Sequence, residues 1–390
     1  MVAPELPQEL IDAIIEEVPQ SSLPACSLVA TSFLESSQKR LFRYMTLKGM
    51  PSYQKTARLL TGSPHLGKYV RYLFVDLGDI PPNYAEISSI LGPLSEIEYL
   101  AIQGEPMFTD IAPVLAENPR VLELLSVPTL RVLALELVDI PSSALLQAFS
   151  SLEQVIISRS TIVQDEEQDE GQDEEQSEFT EPGNIWHLKV VSPGDNGENL
   201  AFVCHPRYHT LLKYLVRFSV MFPPVPDNLL PQFSQFLVAC SDSLEYLEIE
   251  LETPPIFPTL PTLTVLELLL DVELTKTPDL LHSIVASAVS STPNLEVLIF
   301  AILDHPHGPH RPNRQQWTAR APADWAALDS ALMDIAELDE VEFSLRSFKN
   351  ADEGRFNAFV EFFEVHLPRA NEAGFLGFTY LAAGQNTFVE

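Results

Sequence analysis

One apolar pattern recurs along most of the chain: an apolar residue, two others, an apolar residue, one other, an apolar residue. It appears at Val70, Leu73, Val75; at Ile97, Leu100, Ile102; at Leu130, Leu133, Leu135; at Leu152, Val155, Ile157; and at Ile185, Leu188, Val190. It returns at Leu244, Leu247, Ile249; at Leu263, Leu266, Leu268; at Leu295, Leu298, Phe300; and at Leu338, Val341, Phe343. Leu212 and Leu215 are a weaker instance, because Arg217 takes the third place, and Phe375, Phe378 and Tyr380 form the last. Alternate apolar positions predict a short strand with one face turned inward. The first five starts are separated by 27, 33, 22 and 33 residues, so the unit recurs without a fixed period.

Between these strands lie segments with helical spacing. Thr277-Pro278-Asp279 opens one, with Thr277 as N-cap and Pro278 in the first turn, and Leu280, Leu281, Ile284, Val285 and Ala288 form its apolar face. Ala144 to Phe149, Leu229 to Val238 and Trp325 to Ile335 read alike, and Phe356, Phe359, Val360 and Phe363 mark a further helix.

The first forty residues follow a different rule. Pro7 suits a helix start, and Leu10, Ile14, Ile15 and Val18 make one stripe that ends at Pro19. Shorter helices are predicted from Ser22 to about Ala30 and from about Phe33 to Tyr44. Three short helices with more apolar residues than one small cluster can cover suggest a surface that receives a partner.

Two resemblances follow. Leu6, Pro7, Glu9, Leu10 and Ile14, then Ala25 to Ala30, Ser32-Phe33, Ser37-Gln38 and Leu41-Phe42, resemble an F-box in the form common among fungal proteins. That resemblance implies a three-helix module docking on the Skp-type adaptor of a cullin-based ubiquitin ligase. The docking residues it implies are Leu6, Pro7, Leu10, Ile14, Leu28, Val29 and Phe33. An ordinary helical cap is the alternative. Strand, turn and helix in succession resemble an irregular leucine-rich-repeat array, although no regular Asn or Cys stands at the turn. The expected fold is thus α/β: an F-box-like helical module over residues 1–48, then a leucine-rich-repeat-like solenoid over 49–390. A doubly wound α/β domain fits the same alternation and would reorder its strands.

Composition narrows the partners. The chain has 390 residues, 46% of them hydrophobic, enough for a large core. Lys and Arg number 23 against 55 Asp and Glu, a net charge of -32 that disfavours nucleic acid and anionic membrane surfaces. Cys26, Cys204 and Cys240 lie far apart, without a CxxC pair, and read as reduced thiols in a cytoplasmic or nuclear protein. The start lacks a basic and an apolar region of signal-peptide type, and no apolar run reaches membrane-spanning length.

Two insertions interrupt the pattern. Residues 164–181 hold ten acids and no base, and are expected as a disordered acidic loop or a lure for a basic partner. Residues 304–322 form a basic, proline-rich loop. There His305, His307 and His310 lack the Cys or carboxylate pattern that would complete a metal site, and Arg311, Arg314 and Arg320 are candidates for target binding.

GxSxG, strand-following GxGxxG, GxxxxGK[ST] and HExxH are all missing. The expected function is therefore non-enzymatic and without cofactor or metal. The chain reads as a substrate-receptor subunit of a cullin-type (SCF) ubiquitin ligase, with the repeat domain holding a target protein for ubiquitin-dependent degradation. The alternative is a repeat-protein scaffold that binds partners without ubiquitin transfer.

Overall fold

The computed structural model describes residues 6–78, 87–104, 115, 119–163, 182–191, 197–221, 225, 228–250, 257–271, 278–304, 325–335, 337–347 and 353–382. The chain divides into two compact units, Met1–Ser177 with Gly183–Ile185, and Glu178–Pro182 with Trp186–Glu390.

The first unit opens with helices α1 (Gln8–Glu17), α2 (Leu23–Cys26) and α3 (Thr31–Phe42). The Pro7 carbonyl accepts the Leu10 and Ile11 amides, which starts α1 as the proline predicts. Helix α2 is a single turn, shorter than its apolar spacing suggests. The Ser27 hydroxyl turns back on the Pro24 carbonyl at 2.7 Å, a local bond that competes with continuing the helix.

Strands β1 (Tyr44–Leu47), β2 (Tyr72–Asp76), β3 (Tyr99–Gln103), β4 (Val132–Glu136) and β6 (Gln154–Ser158) then pair in parallel, each with the next in that order. Between β1 and β2, helix α4 (Gly49–Gly62) buries Tyr53, Ala57 and Leu60. Strands β5 (Asp139–Pro141) and β7 (Thr161–Val163) form a small parallel pair of their own. Leu137 and Arg159 precede them with φ of 57° and 51°, left-handed turns that end β4 and β6.

The second unit carries β8 (His187–Val191), β9 (Arg217–Met221), β10 (Tyr246–Glu250), β11 (Val265–Asp271), β12 (Val297–Asp304), β13 (Glu340–Ser347) and β14 (Leu376–Ala382). They too pair in parallel, each with its successor. Helices at Leu230–Ala239, Pro278–Ser291, Trp325–Met333 and Glu353–His366 alternate with them.

In both units the inward strand residues are sealed. Leu73, Leu100, Leu133 and Val155 in the first unit, and Leu188, Phe218, Leu247, Leu266, Leu298 and Val341 in the second, expose no surface. Each such side chain stabilises the fold by about 1.5–3 kcal/mol relative to exposure. Their neighbours on the opposite face form straight rows across the strands.

The expected fold class needs correction. The described residues form an α/β fold with twelve strands in the main parallel ladders, five in the first unit and seven in the second, besides the β5–β7 pair, not a three-helix module followed by a leucine-rich-repeat-like solenoid. Apolar spacing encodes a strand and its inward face, and is blind to how successive strands are laid together. The full ladders make continuous sheets. Nor do the N-terminal helices stand apart, since α3 packs on β1 and on the 3-10 turn Pro64–Tyr69. The doubly wound alternative fails as well, because strand order within each unit follows chain order. Strand β9 also corrects a phase. The weak instance at Leu212 is instead Leu215, Phe218 and Val220, with Arg217 exposed on the opposite face.

Candidate functional site

Two places in the structure hold side chains that the folding of the core does not account for. The first is the outer face of the N-terminal helices. Helix α1 turns Ile11 and Ile15 inward against Leu23, with Val18, Cys26, Phe33 and Leu41 packed around them. Polar bonds tie the cluster together. Arg40 of α3 donates to the carbonyls of Ile15 and Val18 at the end of α1. Ser36 donates to Asp12, and Gln8 bridges both at 2.9 Å. The Ser36 hydroxyl, then the Gln8 amide, hold the Asp12 carboxyl below its ordinary range.

This small core leaves its outer stripe bare. Leu6 is 51% exposed, Leu10 52%, Ile14 46%, Leu28 85% and Val29 73%, and Pro7 is exposed beside them. Leu10 and Ile14 lie one turn apart on α1, one position before the buried Ile11 and Ile15. Of the seven residues expected to dock, six are thus on the surface. Phe33 is half-buried and packs against the inner cluster, behind that surface.

The second place is the opposite face of the second unit's sheet, the one turned away from the inward row. Register puts Lys189, Ser219, Glu248 and Glu267 in one row across β8 to β11, and His187, Arg217 and Tyr246 in the row beside it. Glu248 and Glu267 are buried, at 4% and 3% exposure, although the strand pattern places them on the face opposite the core row. Arg346 of β13 reaches back across β12 to meet both. Its Nη1 donates to Glu248 Oε1 at 3.1 Å and its Nη2 to Glu267 Oε1. Lys189 Nζ lies 3.6 Å from Glu248 Oε2, and the Tyr246 hydroxyl donates to Glu267 Oε2.

The environment drives the two carboxyls apart. Burial pushes Glu248 up, but Lys189 and Arg346 beside it, with the Ser219 hydroxyl, outweigh burial and hold it below the usual range. Burial and the neighbouring Glu248 charge push Glu267 up, with Arg346 opposing. Burial, then Glu267 and Glu248, raise the Tyr246 phenol. Burial, then Arg217 and Lys189, push His187 down to about 4, so it is neutral near neutrality. Arg217 is exposed, and its guanidinium lies over the Tyr246 ring at 4.3 Å from the centroid.

None of this network stands out from the sequence one residue at a time. A signal was present in the strand pattern: Leu247-Glu248-Ile249 and Leu266-Glu267-Leu268 carry an acid at the same place, opposite each other in the ladder. Its cationic partner comes 79 residues after Glu267 and 98 after Glu248, and spacing gives no hint of that pairing.

The remaining expected residues fall elsewhere. Arg311, Arg314 and Arg320, the histidines of the basic insertion and the acidic insertion 164–181 lie outside the described residues. Among the described residues no group of three or more His, Cys, Asp or Glu could hold a metal ion, and no helix is long and apolar enough to cross a membrane. Cys204 and Cys240 are free and buried. Burial pushes the Cys240 thiol up to about 12, and burial with Cys240 nearby raises Cys204 further, so both behave as inert core thiols. Comparison with protein-family models gives no match, and comparison with curated proteins gives none either.

Proposed function

We propose that the chain is a substrate-receptor subunit of a cullin-type (SCF) ubiquitin ligase, docking on a Skp-type adaptor through α1–α3 and holding a target protein on its parallel-sheet units. One observation carries the reading. Leu10 and Ile14 form a bare stripe on α1, and Leu6, Leu28 and Val29 are exposed as well, while the three helices already enclose a core of Ile11, Ile15 and Leu23. Folding alone does not require that stripe, and apolar surface set on short rigid helices suits a helical partner. The resemblance to an F-box rests on the same residues. The receptor performs no bond chemistry itself. It raises the local concentration of target beside a ubiquitin-carrying enzyme held through the cullin.

The test is a calorimetric titration with purified Skp-type adaptor. Wild-type protein binds at micromolar concentration or tighter. The double variant Leu10→Ala, Ile14→Ala removes two exposed anchors, each worth on the order of 2 kcal/mol when well packed in an interface. Binding then weakens about a hundredfold or more, if roughly 3 kcal/mol is lost in sum. Circular dichroism stays unchanged, because neither residue belongs to the core. Failure of the wild-type protein to bind the adaptor sinks the reading and favours a scaffold that works without ubiquitin transfer.

A further inference from the structure

Lysine is missing from the middle of the chain. The sequence holds eight lysines against fifteen arginines, and no lysine stands in the 120 residues between Lys68 and Lys189. That stretch supplies strands β2, β3, β4 and β6, and its arginines are Arg71, Arg120, Arg131 and Arg159. Lysine is among the commonest residues of folded domains, and its place is the surface. The fold does not account for its absence here. Arg71 does need a guanidinium. It is half-buried, donates to the Glu96 carbonyl at 2.7 Å and to the Glu96 carboxylate at 2.9 Å, and lies 3.5 Å from Glu98. Arg120 and Arg131 need none. Their side chains are 55% and 61% exposed, and they pair with Glu123 and Glu153. At exposed pairs of this kind an ammonium serves as well. Arg159 is exposed too. Exposed lysines do occur on either side of the stretch, at Lys39, Lys48, Lys55 and Lys213, so the depletion is regional.

What separates the two cations is acylation. A deprotonated lysine Nζ attacks the thioester carbonyl that holds ubiquitin on an enzyme cysteine. The C–N bond forms, the C–S bond breaks, the sulfur leaves as thiolate with the bonding pair, and the amine proton passes to solvent. A guanidinium stays protonated and does not attack. We infer that residues 69–188 are a guard region, kept free of ubiquitin acceptors so that a receptor held beside the ubiquitin-carrying enzyme is spared while its target is modified. The inference deepens the receptor reading and rests on it for the presence of that enzyme. It gives a reason for arginine at Arg120 and Arg131, where stability gives none.

Reconstituted ubiquitylation tests it, with the full-length protein, a Skp-type adaptor, a cullin, ubiquitin-activating and ubiquitin-conjugating enzymes, and free lysine as a competing acceptor. Wild-type protein is modified slowly, and mass spectrometry places its ubiquitin on the flanking lysines. The double variant Arg120→Lys, Arg131→Lys keeps both charges and the fold, which circular dichroism checks, and gains two acceptors. Its initial rate of modification rises about twofold or more, with ubiquitin remnants at positions 120 and 131. The control Arg120→Gln, Arg131→Gln removes the same charges without adding an amine and keeps the wild-type rate. A double-lysine variant modified no faster than wild type, or without remnants at 120 and 131, overturns the inference alone, provided free lysine is acylated in the same mixture and the adaptor binds. An equal rise in the glutamine control overturns it as well, because the effect then belongs to charge. Calorimetric titration of the adaptor runs in parallel. If the adaptor does not bind, the receptor reading falls and the guard region falls with it.

Discussion

His187 shows how one side chain on a sheet face writes a pH dependence into stability. Its imidazole is half-buried beside Arg217 and Lys189, and burial first, then those charges, bring its pKa down to about 4. The unfolded chain protonates it near 6.5. Above 6.5 both states are neutral and the group contributes nothing to the difference. As pH falls from 6.5 toward 4 the unfolded state takes the proton and the folded state resists, so stability drops across that window. After discounting for partial solvent screening, the loss between pH 7.5 and 5 is about 1–2 kcal/mol. Chemical denaturation of wild type and His187→Gln at both pH values measures it, because other titrating groups cancel in the double difference. Identical pH slopes for the two proteins would falsify the account.

Short elements in this protein are held by single close contacts, and these give two predictions. Gly67 sits in the 3-10 turn before β2, and a Cβ built there would lie 2.5 Å from the Pro93 carbonyl oxygen and 2.8 Å from its carbon. Backbone cannot yield as a flexible side chain can. Gly67→Ala therefore destabilises the first unit by about 1–3 kcal/mol, read as a lower denaturation midpoint at unchanged slope. Asp329, on the Trp325–Met333 helix, is 2% exposed and accepts the amides of Arg369 and Ala370 at 3.0 Å each, capping the short Pro368–Glu372 helix. Asp329→Ala leaves both donors bare and costs about 1.5–3 kcal/mol, and a change below half a kcal/mol would show that the cap is dispensable.

Elements of this kind also set what the sequence could disclose. Strands with three apolar positions, such as Leu130, Leu133, Leu135, were legible because alternation is a local property of the pleat. Strand β1 was not, since Met45 and Leu47 are its only buried residues and follow α3 within five positions. The exposed apolar stripe of Leu10 and Ile14 on α1 was legible from helical spacing. The charge network was hidden, because Glu248 and Arg346 meet only once three strand crossings are closed.

The net charge of -32 acts on the whole molecule, and its consequence is opposite to that of the visible ion pairs. Three ion pairs among the described residues are fully on the surface: Lys39–Glu35, Arg120–Glu123 and Arg131–Glu153 keep a third or more of each side chain exposed. Exposed pairs of this kind contribute about 0–1 kcal/mol each, and salt weakens them. The repulsion among 55 acids balanced by 23 bases is spread over many long distances, which are the ones screened first as the Debye length shrinks from about 30 Å at 0.01 M salt to about 8 Å at 0.15 M. The Glu248–Arg346–Glu267 network, being buried, is screened little. Self-repulsion therefore dominates the response. The thermal midpoint at pH 7.5 rises as sodium chloride goes from 0.01 to 0.15 M, and the rise shrinks as pH approaches the isoelectric point near 4.5, where the net charge vanishes. Calorimetric scans at both salt concentrations decide it. A midpoint that falls with salt at pH 7.5 would mean that surface ion pairs outweigh the excess charge, and that the acids are arranged to be favourable rather than merely tolerated.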